Sequence, residues 1–167
     1  MNFALHRYIT PVLILLAVNF GLWIAGTAPV EGAVPASSID RFLNDFDKQG
    51  FALQALGTDD FNSLSKSEQI KLEDILVTRI RNKFSSTKWT LKSDWKKEGR
   101  DWVATFNHSE NGDLGIRIVS HPRVNKFVDV KISGHSLLVN VAGTLQKQLL
   151  RQSASQIVKK LSEDTAS

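Results

Sequence analysis

Residues 88–141, KWTLKSDWKKEGRDWVATFNHSENGDLGIRIVSHPRVNKFVDVKISGHSLLVNV, decide the fold. Polar and apolar side chains alternate along this stretch, and turn formers recur at Glu98-Gly99, Asn111-Gly112, Pro122 and Gly134-His135. Such a pattern is that of an antiparallel meander with one buried face. If Glu98-Gly99 is a two-residue loop, Trp95 faces Trp102, Ser93 faces Ala104, Leu91 faces Phe106 and Trp89 faces His108, all on one side. The other side then pairs Lys96 with Asp101, Asp94 with Val103 and Lys92 with Thr105, which is solvent chemistry. A Gly134-His135 loop likewise sets Ile132 against Leu137, Val130 against Val139 and Val128 against Val141. A sheet face this apolar must be covered by helices.

Three helices are available to cover it. Ser38 caps a first helix, in which Ile39, Phe42, Leu43 and Phe46 fall at helical spacing before Gly50 stops the pattern. A Gly-Thr-Asp-Asp break at 57–60 follows. Ser65 and Glu68 then form a capping box ahead of Ile70, Leu72, Ile75, Leu76, Ile80 and Phe84. A third helix is expected from Thr144 to about Leu161, with Leu145, Leu149, Ile157 and Leu161 inward. The predicted class is α+β: an N-terminal apolar helix, two helices, a five-stranded antiparallel meander and a C-terminal helix on one sheet face. In its order of elements this resembles the cone-shaped domains of the nuclear-transport-factor-like fold, which implies an architecture and no particular function.

Ahead of the domain, Arg7 precedes an almost uninterrupted apolar run from Tyr8 to Ala28. The 20 residues Ile9–Ala28 match the ~20 of a spanning helix, although Pro11, Asn19 and Gly21 dilute them. Cleavage after Ala28 would place Pro29 at the scissile bond, cleavage after Ala33 would leave Glu31 three positions back, and Ala36 lies far from the apolar core. The run is therefore expected to be an uncleaved anchor; the alternative is a signal peptide. His6 and Arg7 before it, with Glu31 and Asp40 after it, put the N-terminus in the cytoplasm and the domain outside. Residues 1–30 are the anchor or signal, 31–37 a spacer, 38–163 the extracytoplasmic domain and 164–167 a disordered tail.

The 167 residues contain no cysteine, which excludes disulfides, thiol nucleophiles and cysteine-ligated metals. A cysteine-free chain suits a bacterial-type envelope. The net charge of +4 is uneven: residues 36–86 hold 7 Lys and Arg against 8 Asp and Glu, while residues 87–167 hold 13 against 8. The strand-rich half is thus the one that would attract anionic lipid headgroups or an acidic partner.

No motif restricts chemistry. A phosphate loop is missing, no catalytic set has a defining spacing, and no cofactor, metal or nucleic acid is expected. The meander places His108 and His135 near one end and His121 at the other, so the three cannot meet on one ion. The expected partner site is the uncovered sheet face, where Arg117, Asp129 and Asn140 form a row framed by Val119 and Phe127. Two functions compete. The first is a membrane-held or secreted, non-enzymatic assembly module that meets a protein through that face. The alternative is a small-ligand or lipid binding protein, or an enzyme, with its pocket between sheet and helices.

Overall fold

The structure, a computed structural model, describes residues 37–85 and 88–166. The apolar run, its cleavage or retention, and nearly all of the spacer lie outside them. Among the described residues, no helix is long and apolar enough to cross a membrane.

The α+β class holds. Within the described residues, four helices come first: α1 (Ser37–Leu43), α2 (Lys48–Leu56), α3 (Thr58–Ser63) and α4 (Lys66–Ser85). Six strands follow, namely β1 (Trp89–Leu91), β2 (Lys96–Glu98), β3 (Asp101–His108), β4 (Gly112–Ser120), β5 (Phe127–Ile132) and β6 (His135–Ser136). The chain closes with α5 (Leu137–Leu149) and α6 (Ala154–Ala166). The sheet is antiparallel in the order β1-β3-β4-β5-β6, with β2 on the same edge of β3 as β1.

The expected first helix is two. Asp47 caps α2 by accepting from the Gly50 backbone N–H at 3.2 Å, so Gly50 lies inside a helix rather than ending one. A Cβ at position 50 would meet the Asp47 carboxylate oxygen at 2.4 Å, which explains a glycine in a first turn. The capping box at Ser65 and Glu68 forms, with Ser65 N–H donating to Glu68 Oε2 at 2.9 Å.

Glycine placement moves two of the expected turns by one residue. Gly99 (φ +62) takes the first central position of a Gly99-Arg100 loop, so Lys97, not Trp95, faces Trp102, and Glu98 faces Asp101. Trp89 does face His108, and Leu91 faces Phe106. The two registers are reconciled at a break in the strand, where residues 92–95 run opposite only Ala104 and Thr105. There the Lys92 and Ser93 N–H groups both point to the Thr105 carbonyl, at 2.9 and 3.3 Å. The other moved turn is Ser133-Gly134, where both residues have positive φ (48° and 84°), the requirement of a type I′ hairpin.

The last strand of the expected meander is a helix. Ile132 pairs with His135, and from Leu137 the chain is α5, so Leu137, Val139 and Val141 never join the sheet. Leu137, Val141 and Leu145 are buried at helical spacing, whereas Val139 is 68% exposed. The sequence LLVNV fits both periods, and the caps decide between them. Ser136 Oγ accepts from Val139 N–H at 3.0 Å, and the Asp129 carboxylate accepts from Leu138 N–H at 3.0 Å and Val130 N–H at 2.8 Å. A second box at Ser153 and Gln156 starts α6, so the single expected helix from Thr144 to Leu161 is split. Helix α6 continues to Ala166, through most of the expected tail.

One apolar core runs through both layers. In the helical layer Arg79 of α4 reaches α6, where its guanidinium donates to the Leu161 carbonyl at 3.3 Å and lies 3.9 Å from the Asp164 carboxylate. Burial pushes the Arg79 guanidinium down from its ordinary range, and Asp164 opposes that shift.

Candidate functional site

The inner face of the sheet is a graded apolar surface. Strand pairing sets Trp102 beside Ile118 and Val130, then Ala104 beside Ile116 and Ile132, then Leu91, Phe106 and Leu114, and last Trp89 and His108. Its middle is closed off from water, since Phe106, Ile116, Ile118 and Val130 are buried. Leu91, Trp95, Trp102, Leu114, Phe127 and Ile132 pack against that core while staying part exposed.

The two ends of this face differ. At the Trp89 end, Phe84 of α4 lies 5.1 Å from the Trp89 ring and the His108 ring 4.7 Å from it, with Trp89 and His108 both buried. That end is shut. His108 Nδ1 accepts from Glu110 N–H at 3.3 Å and faces the Asn111 amide at 3.0 Å, so the neutral ring carries its proton on Nε2. Desolvation pushes the His108 imidazole below its ordinary value; Lys83 and Lys88 add to that and Glu110 opposes it.

His108 thus makes the fold sensitive to acid. A proton binds the unfolded chain's imidazole more readily than the folded one, so no stability is lost through His108 above about pH 6.5, and some is lost as the pH drops below it. Thermal unfolding at pH 7.5 and 5.5 checks this: His108→Gln should lose less stability on acidification than the natural chain. Equal losses would assign the acid sensitivity elsewhere.

At the opposite end, the buried Phe42 ring meets the part-exposed Trp95, Trp102 and Phe127. The Phe42 ring of α1 lies 4.7 Å from Trp95, 5.8 Å from Trp102 and 5.4 Å from Phe127. Trp95 sits in the detour of residues 92–95, which turns its indole inward to 5.8 Å from Phe106. The guanidinium carbon of Arg41 lies over both the Phe42 ring (4.5 Å) and the Trp102 ring (4.7 Å). Trp95 Nε1 is buried and has no hydrogen-bond acceptor. Segment 45–47 closes the β5 edge there, with Phe127 N–H donating to the Asp45 carbonyl and Asp47 N–H to the Phe127 carbonyl.

The row of side chains expected to meet a protein partner does not assemble on one surface. Arg117 is on the outer sheet face, with ion pairs to Glu98 (2.7 Å) and Asp101 (3.3 Å) that raise its pKa further. Val119 pairs with Asp129 across β4 and β5, but Asp129 is 6% exposed and its carboxylate is spent on capping α5. Asn140 belongs to α5, not to a strand beside Arg117. Phe127 faces Phe42 in the aromatic end. No group of three or more metal-ligating side chains is found among the described residues. His121 Nδ1 instead accepts from Arg123 and Val124 N–H, at 3.0 and 3.2 Å, and shapes the β4–β5 loop.

No protein-family model matches the chain, and no curated protein matches it in sequence. Among solved structures it is similar to the phospholipid-binding protein from Ralstonia solanacearum, determined in complex with a phospholipid. The two share 15% identity and a TM-score of 0.54, over 93% of this chain and 96% of that one. At that identity the likeness establishes a shared fold.

Proposed function

We propose that the protein binds a phospholipid or a similar amphiphile, taking its acyl portion between the inner sheet face and the helices and leaving its polar portion at the Phe42–Trp95–Trp102 end. The observation that carries the reading is the graded inner face: apolar from end to end, shut at Trp89, and edged by part-exposed aromatics at the other end. Burying acyl methylenes there is favourable by about 0.8 kcal/mol each, so a short length of chain outweighs the aqueous alternative. A fold shared with a protein solved in complex with a phospholipid supports the same reading. The apolar run Tyr8–Ala28 would send the domain across a membrane or hold it there, beside a supply of such ligands.

The reading displaces that of a protein-binding sheet face, because the side chains which would have formed that surface are divided between an ion pair, a helix cap and the core. Its test is organic extraction of the purified full-length protein, washed free of loosely held detergent and lipid, followed by mass spectrometry. A near-stoichiometric yield of one amphiphile class is the expected result. Protein that is folded, lipid-free and unable to take up added phosphatidylglycerol would refute it.

A further inference from the structure

We infer that Trp95 and Arg41 form a headgroup subsite, in which the Trp95 indole N–H donates to an ester oxygen of the ligand and the Arg41 guanidinium holds its phosphodiester. This deepens the lipid reading above and rests on it. The first observation is the orphaned donor. An indole N–H removed from water without an acceptor costs about 1–3 kcal/mol, and native interiors seldom retain one. Trp95 is put in that position by the detour of residues 92–95, which breaks strand pairing to do so. A ligand carbonyl reaching the aromatic end would supply the missing acceptor.

The second observation is independent and concerns charge. Arg41 and Trp95 flank the same Phe42 ring, at 4.5 and 4.7 Å from its centroid. Arg41 has no ion-pair partner among the described residues, and three of the carboxylates at this end are held by other cations. Asp40 accepts from Arg81 Nε at 2.6 Å, and Glu98 and Asp101 are held by Arg117. A guanidinium lying on two aromatic faces keeps its N–H edge in plane, the edge that meets a phosphate with two parallel hydrogen bonds. The β2–β3 and β4–β5 connections are tied together at this same end, through Ser120 N–H on the Asp101 carboxylate at 2.9 Å. These connections also carry Arg100, Arg123 and Lys126, the last 3.9 Å from the Asp47 carboxylate.

Binding of phosphatidylglycerol, of a diacylglycerol with the same chains, and of inorganic phosphate to the full-length protein tests the assignment. Arg41→Gln should weaken phosphatidylglycerol binding about 10- to 100-fold and leave diacylglycerol unchanged, the scale of one lost charge-assisted bond. Trp95→Phe keeps the ring packing and should weaken both lipids alike, by about 3- to 10-fold. Circular dichroism and melting temperature establish that each variant is folded. An unchanged ratio of phosphatidylglycerol to diacylglycerol affinity in Arg41→Gln would overturn the subsite while leaving the lipid reading intact. Inorganic phosphate binding as tightly as phosphatidylglycerol would make it a free-anion site and overturn the ester assignment. Failure of the natural chain to bind either lipid would overturn the reading beneath it.

Discussion

Replacing Phe106 with alanine should destabilise the domain by about 3–5 kcal/mol, the usual cost of deleting a fully buried aromatic ring. Phe106 is wholly buried and is the ring that joins the two ends of the inner face, 6.0 Å from Phe84, 6.3 Å from Trp89 and 5.8 Å from Trp95. Its removal leaves a void against α4 at one end and loosens the Trp95 detour at the other. Domains of this size are stable by about 5–15 kcal/mol, so the variant would lose a large share of that margin. Urea unfolding of lipid-free protein measures it, with Leu150→Ala as the reference, since Leu150 is 84% exposed and its loss should stay within about 0.5 kcal/mol. A Phe106→Ala cost near that of Leu150→Ala would mean the inner face is not packed as described.

Ala104→Phe should remove bound amphiphile while leaving a folded domain. Ala104 is the smallest side chain on the inner face, between Trp102 and Phe106 along β3 and across from Ile116. On its other side runs the detour of residues 92–95, so the sheet is least regular there. Under the proposed reading, a ring at 104 would stand in the way of an acyl chain entering from the aromatic end toward Phe106. Overpacking costs about 1–3 kcal/mol, which a domain of this size tolerates. Val103→Phe on the outer face is the control and should retain ligand. Extraction followed by mass spectrometry reads both, and full lipid occupancy in Ala104→Phe would place the ligand elsewhere.

Much of this was legible in residues 88–141. Alternation fixed which side chains face inward on β1, β3 and β4, because burying one face leaves a single parity. The Ser65–Glu68 box was legible because both partners of a cap lie within one turn. The turns came out one residue off, the first expected a residue too early and the last a residue too late: dipeptides such as Glu-Gly name a turn without saying which of its positions needs positive φ, and Gly99 and Gly134 settle that. Helix α5 was misread as a strand because Leu137, Val139 and Val141 alternate as well as they turn. The deciding cap comes from Asp129, eight residues before the helix begins.

The candidate site was half legible. Trp95 and Trp102 announced an aromatic face, and a pocket between sheet and helices was the second reading. Arg41 and Phe42, which complete the aromatic end, are distant in sequence from the strands they touch, and no local period records that contact. The polar row on the outer face failed for the converse reason. It needed Asn140 on a strand and Asp129 free, and one helix cap removes both.

The central claim is that an amphiphile lies between the inner sheet face and the helices. Photo-crosslinking of the full-length protein with a phosphatidylglycerol carrying a diazirine on its acyl chain, with adducts mapped by peptide mass spectrometry, tests it most directly. Adducts should concentrate on inner-face and aromatic-end residues such as Trp95, Trp102, Ile118 and Phe42. Adducts confined to the outer face around Val103, Arg117 and Val119, or none at all on folded protein, would contradict it.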